Sequence, residues 1–402
     1  MSIYQRVTTC KVCNNDEFHS IIDLGKQSYT GIFDEPDNDV EKVPLELVEC
    51  TKCGLFQIGH DFDLDIMYGD GYGYRSSQNS WMVKHLENAV SEMSKDLSPN
   101  DLVIEIGSND ATSLSFFPNH CRLIGIDPSA KPLEELYPKN SELVADFFSN
   151  VIVQKILKEQ GKAKVIMSFA MFYDLPNPIE FAKNVSSLLE DNGIWVFEQS
   201  YLLSMLESGA FDTICHEHLE YYRLADIERI LHAANMKVID VFLNEANGGS
   251  FRITATHRAN PIEISQRVIQ VREREQHNFS DYVLSFLNKV KICKENMQNL
   301  VSMCSQKGLN LYGIGASTKG NVLLQYFNLT DKEIVSIGEI NKDKIGKVCP
   351  GSKIPIVSED EVLLDENGIY IILPWHFKDF FINSKKFEGK KLVFPLPQWE
   401  EI

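Results

Sequence analysis

The chain has no run approaching the roughly 18 uninterrupted apolar residues that a membrane-spanning helix needs. Its longest apolar region, Val165 to Tyr173, has the length of a buried strand entering a loop. Positive charge is also scarce: 39 Lys and Arg stand against 57 Asp and Glu, a formal net charge of −18. That excess repels a polyphosphate backbone or an anionic lipid surface at long range. A general nucleic-acid binder and a membrane-surface binder are therefore not expected, while a small phosphorylated ligand in a local pocket still fits. The N-terminal Met1-Ser-Ile-Tyr-Gln-Arg6 reaches Cys10 before a secretory apolar segment could fit. A cytoplasmic location is expected, and there thiols stay reduced. The nine cysteines then mean metal, core or catalysis before disulfides.

What is present is the balance of a soluble globular protein: 44% hydrophobic and 24% charged residues over 402 positions. At roughly 150 residues per domain this divides into two or three domains. Four cysteines form two pairs, Cys10-Lys-Val-Cys13 and Cys50-Thr-Lys-Cys53, the second followed by the small Gly54. Two such knuckles let four thiolates converge on one zinc at about 2.3 Å, and four thiolates leave no open position for water. The expected ion is structural. It would staple residues 1–65, a segment too small for a large core of its own. The stretch between the pairs is compatible with a hairpin-bearing insert.

Leu102-Val-Ile-Glu-Ile-Gly-Ser-Asn-Asp110 reads as a buried strand with a polar exit, and Arg122-Leu-Ile-Gly-Ile-Asp127 as a second strand ending on an acid. A small-residue turn after the first strand and a carboxylate ending the second suit an adenosine ligand, whose ribose hydroxyls the acid accepts. Only Gly107 of a dinucleotide glycine pattern is present, so no pyrophosphate cradle forms here. With Glu105 on the strand, a cationic sulfonium fits better, and S-adenosylmethionine is the expected ligand. Glu105, Gly107, Asn109 and Asp127 would bind it, with Asp146 and Phe147 supplying an acid and an aromatic face for the adenine. An ordinary α/β strand pair with a polar turn is the plainer alternative.

Asp212-Thr-Ile-Cys-His-Glu-His-Leu-Glu-Tyr-Tyr222 concentrates proton-transfer groups, with Glu217 between His216 and His218. Histidine can remove a proton at neutral pH, and a neighbouring carboxylate can orient the ring. The His-Glu-His spacing lacks the i, i+4 geometry of a metalloprotease, and buried structural histidines are the competing reading. The Met67–Asn79 stretch, rich in Gly and Tyr, reads as a binding loop or a plain linker. Asn247-Gly-Gly-Ser-Phe-Arg252 places a flexible turn beside a fixed cation.

From Ile264 to Gln306, apolar residues at three- and four-residue steps (Tyr282, Phe286, Val290, Cys293, Met297, Val301, Cys304) predict helices with one core face. Gly308 to Asn321 then gives a strand, a turn containing Gly315, Ser317 and Lys319, and a helix start, which suits a pyrophosphate. The next strand ends on Glu339. A degenerate nucleotide fold that merely packs on the middle domain is the structural alternative.

Read together, several marks resemble the nucleotide-sugar C-methyltransferases that branch 4-keto deoxysugars. They are the four cysteines, Tyr74-Arg-Ser-Ser77, Glu105-Ile-Gly-Ser-Asn-Asp110, Cys-His-Glu-His218, Asn247-Gly-Gly-Ser250 with Arg252, and Gly315-Ala-Ser-Thr-Lys-Gly-Asn321. The resemblance covers nearly the whole chain. It implies an α/β protein: a small zinc-binding module (1–65), a class I methyltransferase Rossmann-like domain (66–262), connecting helices (263–306) and a second Rossmann-like C-terminal domain (307–402). By the same resemblance His218 is the base, Glu217 its partner, Tyr74 lies near the reacting carbon, and His216 belongs to the catalytic group. The implied substrate is a small molecule, a nucleotide diphosphate sugar. Asp174, Cys215, Tyr222, Arg252, Ser317, Lys319 and Glu339 would face it. Three positions depart from the family pattern: Ala111 replaces a glycine, Cys215 a tyrosine and Asp174 a histidine. The last two lie on the substrate side, so an O- or N-methyltransferase stays open, as does a non-catalytic zinc- and S-adenosylmethionine-binding scaffold. The sequence leaves the oligomeric state open.

Overall fold

The computed structural model describes residues 4–31, 33, 35, 41–62, 75–277 and 279–402. The Met67–Tyr74 part of the tyrosine-rich loop, Tyr74 included, lies outside the described residues. No described helix is long and apolar enough to cross a membrane.

The centre is a seven-stranded sheet. Its first strand, Leu102–Ile106, is buried at every position because helices cover both faces, the situation that produces unbroken apolar runs. In space the strands run Ser141–Val144, Arg122–Ile126, Leu102–Ile106, Ala163–Phe169, Leu189–Ser200, Ser250–His257 and Met236–Asn244. The first five pair in parallel. Ser250–His257 inserts antiparallel beside Leu189–Ser200. The order reverses at Leu102–Ile106, so the crevice beyond its carboxyl end is where a doubly wound sheet binds ligand.

Asn310–Ile314, Ile337–Glu339, Ile356–Ser358, Gly368–Ile372, Lys391–Phe394 and Glu400–Glu401 make a second, six-stranded sheet. Only the last strand is antiparallel. Its spatial order, third, second, first, fourth, fifth and sixth, is that of a dinucleotide-binding fold. Two helices join the sheets, Gln266–Gln276 and Phe279–Lys307. The longer buries Phe286, Val290, Cys293, Met297, Leu300 and Cys304. Leu300 takes the core position the sequence pattern gave to Val301, because the seam keeps to alternating four- and three-residue steps.

At the N-terminus, strands Phe18–Ser28 and Lys42–Cys50 form the hairpin expected between the cysteine pairs. Phe56–Ile58 joins that sheet, and so does a two-residue strand from far along the chain, Glu220–Tyr221. The module thus closes its sheet with the stretch that follows the His-Glu-His triplet. The hydrophobic cores are shared in the same way. One packs Leu45, Phe56 and Ile58 with Cys215, Leu219 and Tyr221 and with the C-terminal sheet. Another packs Cys10, Cys50 and Leu55 against the central sheet.

Arg223 fastens the second knuckle to this joint. Its Nη2 donates to the Cys53 carbonyl at 3.2 Å and the Gly54 carbonyl at 2.8 Å, while Nε donates to Asp226 Oδ2 at 3.0 Å. Gly54 sits at φ +74°, and a Cβ there would lie 2.7 Å from the guanidinium, so only glycine admits this approach. Arg223→Ala removes the donor to the Gly54 carbonyl and leaves the buried Asp226 with only the Arg229 guanidinium and the residue-223 backbone N–H. A loss of about 2–4 kcal/mol in urea unfolding is expected with the four-cysteine cluster intact. An unchanged midpoint would show that the clamp carries no stability.

Candidate active site and structural metal centre

Cys10, Cys13, Cys50 and Cys53 bring their sulfurs within 4.8 Å of one another. The Cys10–Cys53 and Cys13–Cys50 separations are 3.5 Å. Tetrahedral ligands about 2.3 Å from zinc lie about 3.8 Å apart, so the cluster fits one ion with little adjustment. Contact with Cys10, then burial, pushes the Cys53 thiol up, and burial raises that of Cys13, a rise that a bound cation would reverse. Zinc would hold all four as thiolates and tie both knuckles together. Its role is structural.

The ligand turn begins where Leu102–Ile106 ends. Gly107, Asn109 and Ala111 have φ of +77°, +48° and +58°, so the chain curls tightly over the strand end. Ala111 occupies a left-handed position that glycine would take at lower cost. Asn109 N donates to Asp127 Oδ2 at 2.8 Å and Ser129 N to Asp127 Oδ1 at 2.8 Å, which fixes the acid at the end of the neighbouring strand. Ser76 N and Ser77 N donate to Asn109 Oδ1 and Asp110 Oδ2, folding the preceding segment over the turn. Glu105 accepts from Ser113 Oγ through one oxygen, while its other oxygen is buried without a partner among the described residues. Burial pushes this carboxyl up to about 8, and a cation in the crevice would draw it back to the charged form. Past Ser141–Val144, Asp146 and Phe147 are both exposed, the ring 45% so. An unsatisfied acid, a fixed carboxylate and an uncovered ring are what S-adenosylmethionine would meet.

The His-Glu-His segment is pinned from several sides. Leu219 N donates to the Tyr173 carbonyl, and Ile58 N to the Leu219 carbonyl. Thr30 Oγ1 donates to Glu217 Oε2 at 3.2 Å, and a Cβ on Gly31 would lie 2.5 Å from Glu217 Oε1. Thr30 is held in turn by Asn321 Nδ2, which donates to its carbonyl at 2.7 Å from the C-terminal domain. His218 Nδ1 lies 2.9 Å from the Thr213 carbonyl. A carbonyl only accepts, so Nδ1 carries the proton and Nε2 keeps its lone pair. The ring of Tyr173 packs 4.2 Å from it. Glu217 and His218 remain partly open to solvent. Desolvation, then the nearby Lys319 charge, lowers His218 to about 3, so the imidazole is neutral at physiological pH. His216 differs: it is fully buried, edge-on to Tyr29 and Phe62, with neither ring nitrogen partnered among the described residues.

Other sequence-predicted residues are committed elsewhere. Arg252 Nη2 pairs with Glu92 at 2.8 Å and its guanidinium covers Phe242. Ser317 caps the helix Thr318–Tyr326 by accepting from Gly320 N. Glu339 accepts from the backbone N–H of Ala316, Ile340 and Asn341. Tyr222 and Cys215 are buried, and Asp174 lies in the loop carrying Tyr173. Lys319 leaves its own domain and donates to the Asn247 carbonyl at 2.6 Å. Asp212 with Trp375, and His376, complete the same surroundings and were not singled out from sequence; their only local signal is position after a strand or beside the histidines. His85 and Glu198, which carry no local sequence signal, form a second pair. His85 Nε2 lies 2.5 Å from Glu198 Oε1, with Trp81 stacked on the imidazole, at the carboxyl end of Leu189–Ser200.

Three family models match consecutive parts of the chain: a zinc binding domain over residues 10–68, a methyltransferase domain over 79–241 and a C-methyltransferase C-terminal domain over 245–397. The chain is 28% identical over 408 aligned residues to the C-methyltransferase NovU of Streptomyces niveus, covering 98% of this chain and 97% of that protein. Among solved structures it is similar to an S-adenosylmethionine-dependent methyltransferase of Anabaena variabilis, with TM-score 0.34, 16% identity, and 46% of this chain and 86% of that one covered. It is also similar to the magnesium protoporphyrin IX methyltransferase of Synechocystis, with TM-score 0.34, 13% identity, and 48% and 92% covered.

Two measurements check the site. Elemental analysis should find one zinc per chain in the parent protein and none in Cys50→Ser; one full equivalent retained in the variant would mean a different ligand set. With S-adenosylmethionine saturating, so that Glu105 is already charged, the acid limb of kcat/KM for the methyl acceptor should lie below pH 5, because His218 stays neutral far below the ordinary value near 6.5. A limb near pH 6.5 would place an ordinary, solvated imidazole in the rate-limiting protonation.

Proposed function

We propose that this chain, an S-adenosylmethionine-dependent methyltransferase, belongs with the C-methyltransferases and methylates a carbon next to the ketone of a nucleotide-linked deoxysugar, with His218 as the base. The observation that carries this reading is the fixed tautomer of His218. Its Nδ1 proton is committed to the Thr213 carbonyl, so Nε2 is a neutral acceptor on the open side of the ring. A ketone acidifies the hydrogens on the neighbouring carbon, and a positioned base of this kind removes one. S-adenosylmethionine supplies the electrophilic methyl when bound. Glu105, Asp127, Asp146 and Phe147 hold it on the carboxyl edge of the central sheet. Glu217, braced by Thr30 and packed on Gly31, keeps the segment bearing His218 from shifting. His216, locked between aromatic rings, contributes shape to that segment.

Support for carbon as the methylated atom comes from the relative named as a C-methyltransferase, and support for a nucleotide-linked acceptor from the second nucleotide-type sheet, whose turn at Gly315 opens beside the same segment. A cytoplasmic setting, where such activated sugars are made, agrees with the acidic chain and its unpaired cysteines.

The test is isotopic. In deuterium oxide, the protein should wash deuterium into the carbon beside the ketone of a nucleoside diphosphate 4-keto-6-deoxyhexose, and His218→Ala should slow both exchange and methylation by about 10²- to 10⁴-fold. Methylated product formed without any carbon exchange would assign the methyl to oxygen or nitrogen instead. Wild-type rate in His218→Ala would remove this residue from the chemistry.

A further inference from the structure

A lysine that the sequence places in a diphosphate-type turn does not stay with that turn. Lys319 belongs to the first turn of Thr318–Tyr326, yet its Nζ reaches across to the central domain and donates to the Asn247 carbonyl. Asn247 is itself held in a left-handed conformation at φ +54°, which aims that carbonyl. An ammonium has three N–H donors. Only one finds a partner among the described residues, so two are available to a ligand.

The surroundings decide which ligand. Lys319 is only partly open to solvent, and the groups that feel its charge are Asp212, Cys215, His218 and His376. Asp212 is fully buried and accepts from Trp375 Nε1 at 2.7 Å through one oxygen, while the other has no partner among the described residues. It forms no direct ion pair with Lys319, which leaves the ammonium fixed near a counter-charge but unquenched. The Trp375 ring in turn closes against Gly248, where a Cβ would lie 3.0 Å away. Thr213, next to Asp212, is the residue whose carbonyl orients His218. One short loop, 212–218, therefore carries both the anchor of the base and the acid that acts on the cation, in a largely desolvated space where a charge is worth more than in water.

We propose that Lys319 is a catalytic residue that donates to the ketone oxygen and stabilises the enolate, rather than a ligand of the diphosphate. This inference rests on the carbon-methylation reading above. His218 Nε2 takes the proton, the C–H electron pair becomes the carbon–carbon double bond, and the carbonyl π pair moves onto the oxygen that Lys319 holds. The enolate carbon then forms its bond to the methyl group as the methyl–sulfur bond breaks, its pair leaving on sulfur. Asp212 and the Asn247 carbonyl are positioning groups for the ammonium. Desolvation first, and the charge of Lys319 second, keep the resting His218 neutral, so the same cation that acts on the base receives the negative charge the base generates.

The test compares enolisation with nucleotide binding in Lys319→Met and in Lys319→Gln, which keeps an N–H donor. Exchange of deuterium into the nucleoside diphosphate 4-keto-6-deoxyhexose should fall about 10²- to 10³-fold in the methionine variant, the usual loss for one oxyanion donor. The glutamine variant should recover part of it. Calorimetric affinity for thymidine 5′-diphosphate alone should stay within twofold of the parent protein, and binding of S-adenosylmethionine would report that both variants are folded. Weakened diphosphate binding with undiminished exchange in the saturated variant would overturn the proposal and return Lys319 to the phosphates. Equal exchange and equal diphosphate affinity in all three proteins would remove it from both roles. A parent protein that methylates but never exchanges would instead fail the carbon-methylation reading itself, which separates the two outcomes.

Discussion

The segment Cys215–Tyr222 has almost no secondary structure of its own: two residues of strand and a bridge follow a turn. Ordering a backbone costs roughly 1–2 kcal/mol per residue, so its shape must be imposed by what surrounds it. Pairing of Glu220–Tyr221 with Phe56 and Gln57 fixes one end. The Tyr173 carbonyl takes the Leu219 N–H from the central domain. Thr30, itself held by Asn321, braces Glu217 from the third side. Each of the three parts of the protein therefore supplies one wall, and no part alone would place His218. The metal-stapled module is a wall of the site through its sheet, although its sulfurs coordinate nothing reactive.

Charge is handled sparingly in that enclosure. The protein carries a net −18, yet the site concentrates one ammonium among neutral histidines and half-satisfied acids. Glu105 near the ligand turn and Asp212 near Lys319 are both raised by burial. A bound S-adenosylmethionine would draw Glu105 back to the charged form, while the charge of Lys319 already opposes the rise at Asp212. The long-range field discourages polyanions while these local groups discriminate between small ligands.

Much of this was legible in the sequence wherever the signal is local. The cysteine knuckles declare themselves by spacing, because two-residue gaps suffice to converge on an ion. Strands such as Leu102–Ile106 and Arg122–Ile126 declare themselves by unbroken apolar runs ending on polar residues. Residues whose role depends on docking were less readable. Arg252 looks like a free cation until Glu92 is brought to it across the fold. Lys319 sits in a phosphate-like turn but spends its reach on another domain. Glu339 is consumed by backbone N–H groups, those of Ile340 and Asn341 in its own turn and that of Ala316 in the neighbouring one. Thr30 and Gly31 carry no sequence signal at all, since what selects them is the carboxylate of Glu217 approaching from elsewhere. The helix seam shows the same limit in miniature, where Leu300 rather than Val301 is drawn into the core.

The central claim is that docking of the zinc-stapled module holds the base in place. Amide hydrogen exchange followed by mass spectrometry, on the full chain before and after chelation of zinc, tests it most directly. Exchange at Ile58 and across Leu219–Tyr221 should accelerate on metal loss while Leu102–Ile106 stays protected, with deuterium wash-in to the keto sugar lost in parallel. Protection of Leu219–Tyr221 unchanged in the zinc-free protein would contradict it, because the segment would then owe its shape to the other two walls alone.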